Sequence, residues 1–310
     1  MGKKDKNVTE SATPKGKQRR NPFQFLGIPF DALNEETVKH HVIFLILITI
    51  VMKFVVVFFT TSVFHSFIDY FDIGVYFNSA TPLLQGQVPY VNYQFEYPIL
   101  TFIPILLAFI PAVLTQNAAF FTLAFQFLMI LCDIIIVLCV YFIGLKIYQE
   151  TTAFYAGLIY ATAFSTAYFI ITKSDAFPTS LLMLGILFTV YRKNTFGYVW
   201  GSAGFFTKMF PAIALMVLFN AKTTSLKTEL ISAGKIFLAF CIVLLLPLAL
   251  ISPATLSTYL FATGGAIGVY VNTATFTLYA YLHEVLSLGI STGIISAVMY
   301  GLMGFFLLLL

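Results

Sequence analysis

The stretch that decides the fold is Val42–Val63, VIFLILITIVMKFVVVFFTTSV, in which Lys53 is the one charged residue. A helix that crosses a membrane needs about 20 consecutive and mostly apolar residues, and this run has that length. A helix on the surface of a soluble domain would show polar residues along one side, and this run has no such side. We therefore predict that it is a helix surrounded by lipid.

The rest of the chain has the same apolar character. Of its 310 residues, 59% are hydrophobic and 10% are charged, whereas soluble domains are roughly 45–50% apolar and about 25% charged. So few charges cannot cover the surface of a water-soluble globule. Aromatic residues make up 17% of the chain, which suits lipid-facing surfaces and the membrane interface. The predicted fold class is an all-α integral membrane protein.

We predict about eight membrane spans. Several contain Gly or Pro, which membrane helices tolerate. The predicted spans are Val42–Val63, Pro98–Leu114, Ala118–Leu145, Ala153–Thr172, Phe177–Tyr191, Gly197–Phe219, Ile231–Ile251 and Val285–Leu310. The chain then divides into a tail with an interfacial helix, residues 1–41, and a transmembrane domain, residues 42–310. The last span ends in FFLLLL without a polar flank, so we expect a truncated C-terminus.

The N-terminal tail is basic and predicts the orientation of the protein. Its positive residues are Lys3, Lys4, Lys6, Lys15, Lys17, Arg19, Arg20 and Lys39. Under the positive-inside rule, this tail lies on the cytoplasmic side of the cell membrane. Asp31, as an N-cap, followed by Glu35 and Glu36 predicts a short helix on that surface. No basic fold module accompanies the tail, which argues against nucleic-acid binding.

Two long connections, about residues 64–97 and 252–284, contain no Lys or Arg and are predicted to be extracytoplasmic. Strict alternation of eight spans agrees with that placement. The same alternation puts Arg192 and Lys193 outside and residues 173–175 inside. That placement disagrees with the positive-inside rule. Lys208 and Pro211 interrupt the sixth predicted span, where a broken or re-entrant passage would shift the count. The topology of the middle spans therefore stays open.

The acids of the first loop are candidates for chemistry. A helix over 69–84 would place Asp69, Asp72 and Tyr76 on one face, and Gly86 would end it. The residues predicted to lie against lipid or the bundle are Ile73, Phe77 and Leu84. On spacing alone, the simpler interpretation is a solvated loop face with aromatic anchors.

Three charges fall well inside predicted spans, away from their first turns, where each is costly and has a partner or a function by default. Lys53 and Asp133 predict an ion pair between the first and third spans. Lys208 has no acidic neighbour in sequence. It could hold a phosphate at the bilayer edge, or its ammonium group could simply extend to the interface.

Several of these residues lie in motifs that resemble one known family. In the first loop the motifs are Asp72-Ile-Gly-Val-Tyr76, Leu84-Gln-Gly86-Gln-Val-Pro89-Tyr90 and Phe95-Glu96-Tyr97-Pro98. Downstream are Lys173-Ser-Asp175-Ala-Phe-Pro178 and Gly201-Ser-Ala-Gly204-Phe-Phe-Thr207-Lys208-Met-Phe210-Pro211. Together they resemble the GT-C membrane glycosyltransferases. The resemblance is closest to glycosyltransferase family 87, the polyprenyl-phosphate-mannose-dependent mannosyltransferases.

This resemblance implies a GT-C-type multi-pass helical bundle with a long first external loop that bears surface helices, and with a cleft at the outer membrane face. Members move a monosaccharide, mannose or another hexose, from a polyprenyl-phosphate donor to an acceptor hydroxyl, with inversion. The acceptor is a lipid-linked glycan, a glycolipid or a protein.

The resemblance also implies roles for individual residues. Asp72 would be the general base, or Asp69 if the register differs, and Lys208 would hold the lipid phosphate. The residues that would bind the substrates are Tyr76, Glu96, Tyr97, Asp175 and Lys208. Glu96 and Asp175 would position the donor, the acceptor or a divalent metal, although no metal ligand is assigned.

A transporter or flippase of lipid-linked sugars is the main alternative. Such a protein is expected to have inverted repeats and a polar path at the middle of the membrane. The sequence shows no internal repeat, and its acids gather in one loop, which favours the enzyme. A structural subunit is a third interpretation. The sequence identifies neither the sugar nor the acceptor.

Overall fold

The computed structural model describes residues 35–63, 70–95, 97–208 and 212–251, with positions 253, 256, 281, 282 and 298. Within this part of the chain the structure is helical and has no strand element. The helices are α1 (Glu35–Ser62), α2 (Phe71–Ala80), α3 (Phe102–Thr115), α4 (Ala119–Ile147), α5 (Glu150–Thr162), α6 (Phe164–Thr172), α7 (Ala176–Val190), α8 (Asn194–Lys208), α9 (Ala212–Ala221) and α10 (Leu226–Ile251). Short 3₁₀ helices occupy Thr81–Gln85 and Ile99–Thr101.

Three of the described helices, α1, α4 and α10, are long and apolar enough to cross a membrane. The pair α5 and α6, bent by 57°, makes a fourth candidate if it is one span. Large apolar side chains such as Phe54 and Val243 are exposed on the outer faces of these helices, as expected where lipid is the solvent. The structure thus agrees with the predicted all-α membrane class, while the count of eight spans stays a prediction.

Some sequence predictions fall outside the described residues. The tail before Glu35, most of the connection 252–284 and nearly all of the last predicted span lie there. Glu35 and Glu36 do not form a separate surface helix, because they open α1, which continues without a break to Ser62.

Helices α1 and α4 run antiparallel and define the two ends of the bundle. The His41 ring lies 3.1 Å from the Tyr141 hydroxyl, and Lys53 Nζ lies 2.5 Å from Asp133 Oδ2. Residue numbers therefore rise along α1 as they fall along α4. We call the end that holds the start of α1 and the end of α4 the basal end, and the opposite end the distal end.

The buried pair of Lys53 and Asp133 confirms the predicted ion pair. Both side chains are 0% exposed, and the Tyr160 hydroxyl donates a hydrogen bond to Asp133 at 3.0 Å. A charge buried without a partner would be very costly. The pair therefore holds α1, α4 and α5 together near the middle of the bundle.

The predicted second span, Pro98–Leu114, is largely helical in the structure. The apolar helical stretch here is Ile99–Thr115, a 3₁₀ turn followed by the 14 residues of α3. Its Phe109 ring contacts Phe121 at the start of α4, and Phe77 of α2 contacts both rings. The start of α3 lies against the distal end of α8, since Thr101 donates to the Thr207 carbonyl. Helix α3 therefore runs along α4, from the last residues of α8 to the start of α4.

The predicted sixth span, Gly197–Phe219, is a helical hairpin. Asn220 Nδ2 donates to the Tyr198 hydroxyl at 3.0 Å, and a Cβ added to Gly201 would lie 2.8 Å from Met216 Sδ. Because residue numbers rise in α8 as they fall in α9, the two helices are antiparallel. The hairpin therefore begins and ends at the basal end, with Lys208 at its distal tip.

The contacts of the α8–α9 hairpin bear on the conflict in the sequence-based topology. Arg192 lies at the basal end, where its Nη1 donates to Thr223, and Lys146 lies over the nearby Tyr191 ring. Residues 173–175 lie at the distal end, because Lys173 pairs with Asp72. Arg192 and residues 173–175 therefore lie at opposite ends of the bundle, in the sense that the charge bias favours, while the membrane topology of the middle spans stays a prediction.

Candidate functional site

A three-residue connection between α6 and α7 organises the distal end. Lys173 ends α6 with an extended backbone, φ −126° and ψ 158°, and Asp175 precedes the first residue of α7. Ser174 lies between them and is buried. Because the backbone leaves one helix and enters the next within three residues, each side chain contacts a different part of the protein. We call this connection the 173–175 segment.

Lys173 contacts the helix of the first loop. Its Nζ lies 2.9 Å from Asp72 Oδ2, and the two side chains are 22% and 27% exposed, respectively. Asp72 lies in the first turn of α2, where the partial positive charge of a helix N-terminus favours a carboxylate. The pair is thus formed where water and a ligand can reach it.

Ser174 is fixed by a buried tyrosine. The Tyr76 hydroxyl lies 3.0 Å from Ser174 Oγ and accepts a hydrogen bond from the Ser174 backbone N–H at 3.4 Å. Burial raises the pKa of Tyr76 above its ordinary value, so the phenol stays neutral. The Tyr76 ring packs 5.7 Å from Tyr97 and 5.2 Å from Phe125. The first loop is therefore joined firmly to the 173–175 segment.

Asp175 pairs with the lysine at the tip of the α8–α9 hairpin. Its Oδ1 contacts Lys208 Nζ, and the side chains of Lys208 and Asp175 are 39% and 50% exposed, respectively. The Thr101 hydroxyl donates to the carbonyl of Thr207, which anchors the tip next to the start of α3. This is the most exposed of the three lysine–aspartate pairs described.

A largely apolar cleft of about 290 Å³ opens beside Asp175. It is bounded by α4, α5, α6 and α7, and its lining includes Ile136, Tyr160, Phe169, Ile170, Asp175 and Thr179. An apolar cleft next to a charged pair can take a ligand that has both an apolar and an anionic part.

The structure brings together five of the seven predicted site residues. Asp72, Tyr76, Asp175 and Lys208 contact the 173–175 segment or belong to it, and Tyr97 packs on Tyr76. The other two, Asp69 and Glu96, lie outside the described residues.

The first-loop helix differs from the prediction in its extent and its faces. Helix α2 ends at Ala80 and is followed by a 3₁₀ helix, which Gly86 ends with φ 74°. Tyr76 is 2% exposed and points inward with Ile73, whereas Leu84 is 63% exposed. Asp72 and Tyr76 contact the adjacent residues Lys173 and Ser174, as one helical face predicts, but only the carboxylate is partly exposed. The aromatic ring enters the core, and the carboxylate stays at the surface.

Two residues of the site, Lys173 and Ser174, were missed as functional candidates. Both are in the motif that ends at Pro178, but strict alternation placed that motif on the opposite side from Asp72. Charge pairing could have identified Lys173. The chain has few charged residues, so a lysine in this motif is a candidate partner for the acids of the first loop.

The carboxylates described at this end each contact a lysine. In the described part of the chain, no group of three or more His, Cys, Asp or Glu side chains could hold a metal ion. What the arrangement offers directly is two cations, two anions and an apolar cleft, which is suited to an anionic amphiphile.

No protein-family model, curated protein sequence or solved structure matches this chain. The coarse class, an all-α protein with helices that could span a membrane, follows from its own helices. A function has to be argued from the chemistry of the distal end.

Proposed function

We propose that this protein is a membrane glycosyltransferase of the GT-C type, which moves a hexose from a polyprenyl-phosphate donor to an acceptor hydroxyl with inversion. The observation that carries the proposal is the pair of contacts Asp72–Lys173 and Asp175–Lys208, joined by one segment at one end of an apolar bundle. The motif resemblance to family 87 supports the same class.

The donor suits this end of the protein because it combines a phosphate with a long apolar chain. Lys208 and Lys173 supply positive charge for the phosphate, as ammonium groups commonly do in phosphate sites. The cleft beside Asp175 is apolar and opens outward, so an isoprenoid chain can enter it from the lipid. Binding energy from the chain would then hold the sugar at the charged pairs.

The reaction requires one base and one good leaving group. Asp72 takes the proton from the acceptor hydroxyl, and the hydroxyl oxygen bonds to the anomeric carbon. The bond between that carbon and the phosphate oxygen breaks on the opposite face. Polyprenyl phosphate leaves with the electron pair, and Lys208 stabilises its additional negative charge. Asp69, Glu96 and Tyr97 remain proposed contacts for the donor or acceptor.

The proposed orientation places the basal end in the cytoplasm of the cell and the distal end outside. Positive residues described at or near the basal end are Lys39, Lys146, Arg192, Lys193, Lys222 and Lys227. The lysines at the distal site are both paired with aspartates, so they add little net positive charge there. This distribution follows the positive-inside rule.

The test uses the full chain, purified and placed in lipid nanodiscs, with polyprenyl-phosphate hexoses and acceptor lipids. We expect transfer by the wild-type protein and a loss of about a hundredfold or more in Asp72→Asn. Glu150→Gln is the matched control, because Glu150 is a partly buried carboxylate near His41 at the basal end. It should leave transfer unchanged.

Full activity in both Asp72→Asn and Asp69→Asn would show that neither carboxylate is the base. If the wild-type protein moves lipid-linked sugar across vesicles without any transfer, the function is transport. Product stereochemistry, read by NMR of the new glycosidic bond, tests inversion separately.

A further inference from the structure

The distal end holds a proposed base, Asp72, one of whose two carboxylate oxygens contacts an ammonium group. For Asp72 to take a proton from an acceptor hydroxyl, its carboxylate oxygens must be accessible to that hydroxyl. In the structure, Oδ2 of Asp72 lies 2.9 Å from the Lys173 ammonium group. Movement of Lys173 away from Asp72 would free this oxygen for the acceptor hydroxyl.

The exposure of this pair allows such a movement. The side chains of Lys173 and Asp72 are about one-quarter exposed, and ion pairs in contact with water are worth little net free energy. The pair of Lys53 and Asp133 has no exposed surface, and separating it would leave buried charges without partners. Among the described lysine–aspartate pairs, Lys53–Asp133 is thus permanent, whereas Lys173–Asp72 and the more exposed Lys208–Asp175 can exchange partners.

The backbone beneath Lys173 is held in place. Ser174 is 4% exposed and is joined to the buried Tyr76 through both its side chain and its backbone N–H. A change of partner at Lys173 would therefore be a rotation of its long side chain, with the 173–175 segment fixed. The neighbouring Asp175–Lys208 pair, two residues away, adds a second ammonium group to the same segment.

We propose that Lys173 is an exchangeable counter-ion, which pairs with Asp72 until the phosphate of a lipid-linked donor takes its place. The phosphate carries negative charge and several acceptor oxygens, so it competes with the Asp72 carboxylate for the ammonium group. Arrival of the donor then releases Asp72 and couples donor binding to activation of the base. This inference rests on the proposed function for the identity of the donor.

The exchange is measurable without catalysis. The ligand is polyprenyl monophosphate, titrated onto the full chain in nanodiscs and followed by native mass spectrometry, with the matching polyprenol as the control for the tail. Asp72→Asn removes the competing carboxylate, so we expect it to bind polyprenyl monophosphate about threefold to tenfold tighter than the wild type. If Asp72 had only a structural role, its replacement would give no such gain in affinity.

Lys173 variants identify the cation. The double variant Asp72→Asn/Lys173→Met should lose the gain, and Lys173→Met alone should bind more weakly than the wild type. Asp72→Asn/Lys173→Arg keeps the positive charge and should keep most of the gain. Polyprenol should bind all variants equally, and inorganic phosphate should compete if the headgroup alone is recognised.

Equal or weaker binding of the phosphate lipid by Asp72→Asn, at an unchanged unfolding temperature, would overturn the exchange. If the unfolding temperature of Asp72→Asn falls, Asp72→Ser is measured as a second variant. Tighter binding by it supports the exchange, and equal or weaker binding overturns it. A Lys173-dependent gain in a protein without transfer activity would support the exchange and overturn the glycosyltransferase proposal. Transfer by the wild type, with no gain in binding by Asp72→Asn, would support the glycosyltransferase proposal and overturn the exchange.

Discussion

The Tyr76 hydroxyl lies 3.0 Å from the Oγ of Ser174, a residue 98 positions further along the chain. This contact fixes α2 of the first loop to the 173–175 segment. Asp72 lies about one helical turn before Tyr76, and Lys173 is next to Ser174, so the same contact sets the register of the Asp72–Lys173 pair. A buried tyrosine thus positions two charged residues that are partly exposed to water.

Tyr76→Phe should lower both stability and transfer. The variant keeps the ring contacts with Tyr97 and Phe125 but loses the contact with Ser174, at a cost of about 1 kcal/mol. Transfer should fall by more than the loss of stability explains, because Lys173 would no longer be held in a fixed position relative to Asp72. Thermal unfolding and the donor KM measure the two effects. Tyr93→Phe, which loses a hydrogen bond to the Ser79 carbonyl, should leave the donor KM unchanged; an equal rise in both variants would contradict the argument.

The raised pKa of Tyr76 predicts a loss of stability at alkaline pH. Burial is the main cause of the shift from the ordinary value of 10.0. The folded state keeps the phenol neutral after the unfolded state has begun to ionise, so its stabilisation is complete below the unfolded pKa and is lost as pH rises through the folded pKa. Unfolding temperatures between about pH 8 and 11 should fall more steeply for the wild type than for Tyr76→Phe. Parallel curves of unfolding temperature against pH for the two proteins would contradict this prediction.

The sequence predicted the all-α class and most of the side chains that the structure brings together at the distal end. The run Val42–Val63 lies almost entirely inside α1, and the Lys53–Asp133 pair followed from the cost of isolated charges in apolar helices. Gly86 was correctly placed at the end of a helical stretch. These features depend on local composition or on one strong energetic rule, so they can be predicted from a single sequence.

The parts that failed depend on long-range geometry. Hydropathy measures the length of an apolar run and not its direction, so Gly197–Phe219 looked like one span although α8 and α9 fold back on each other. Asp175 meets Lys208 from 33 residues away, and Lys173 meets Asp72 across a larger separation. Which lysine meets which aspartate is set by how the helices pack, and neither periodicity nor charge counting reports that.

The buried pair of Lys53 and Asp133 should behave as a unit. Lys53→Met or Asp133→Leu alone leaves one charge without its partner and should destabilise the protein by about 3–5 kcal/mol. The double variant removes both charges and should recover most of that loss. A double-mutant cycle on thermal unfolding measures the coupling, and transfer by the double variant tests whether the pair is purely structural. Additive losses would contradict the ion pair.

Gly144→Ala should separate α4 from α5. A Cβ at Gly144 would lie 2.9 Å from both Cα and Cβ of Ala153, and the backbone there cannot rotate away, so we expect a loss of about 1–3 kcal/mol. Gly74→Ala is the matched control, because nothing lies within 4 Å of the added Cβ and alanine favours the α2 helix by about 1 kcal/mol. Thermal unfolding should show opposite signs for the two variants. A neutral Gly144→Ala would mean that the two helices are not in contact.

The antiparallel packing of α8 and α9 predicts that both ends of this hairpin face the same side of the membrane. Lys193 and Lys222 flank the two helices and are exposed, and both lie at the basal end, whereas Gln85 follows α2 at the distal end. In a background without Cys132, Cys139 and Cys241, a membrane-impermeant maleimide should therefore label Lys193→Cys and Lys222→Cys from one side and Gln85→Cys from the other.

Simple crossing by residues 197–219 gives a different pattern, because it would place the positions before and after that segment on opposite sides. Lys193→Cys and Lys222→Cys would then be labelled from different sides in intact and inverted vesicles. Labelling of both from the cytoplasmic side would place Lys208 at the tip of a re-entrant hairpin that reaches the opposite face without crossing. That arrangement explains how one short helical pair can present an ammonium group to Asp175 while both its ends stay with the basic residues of the basal end.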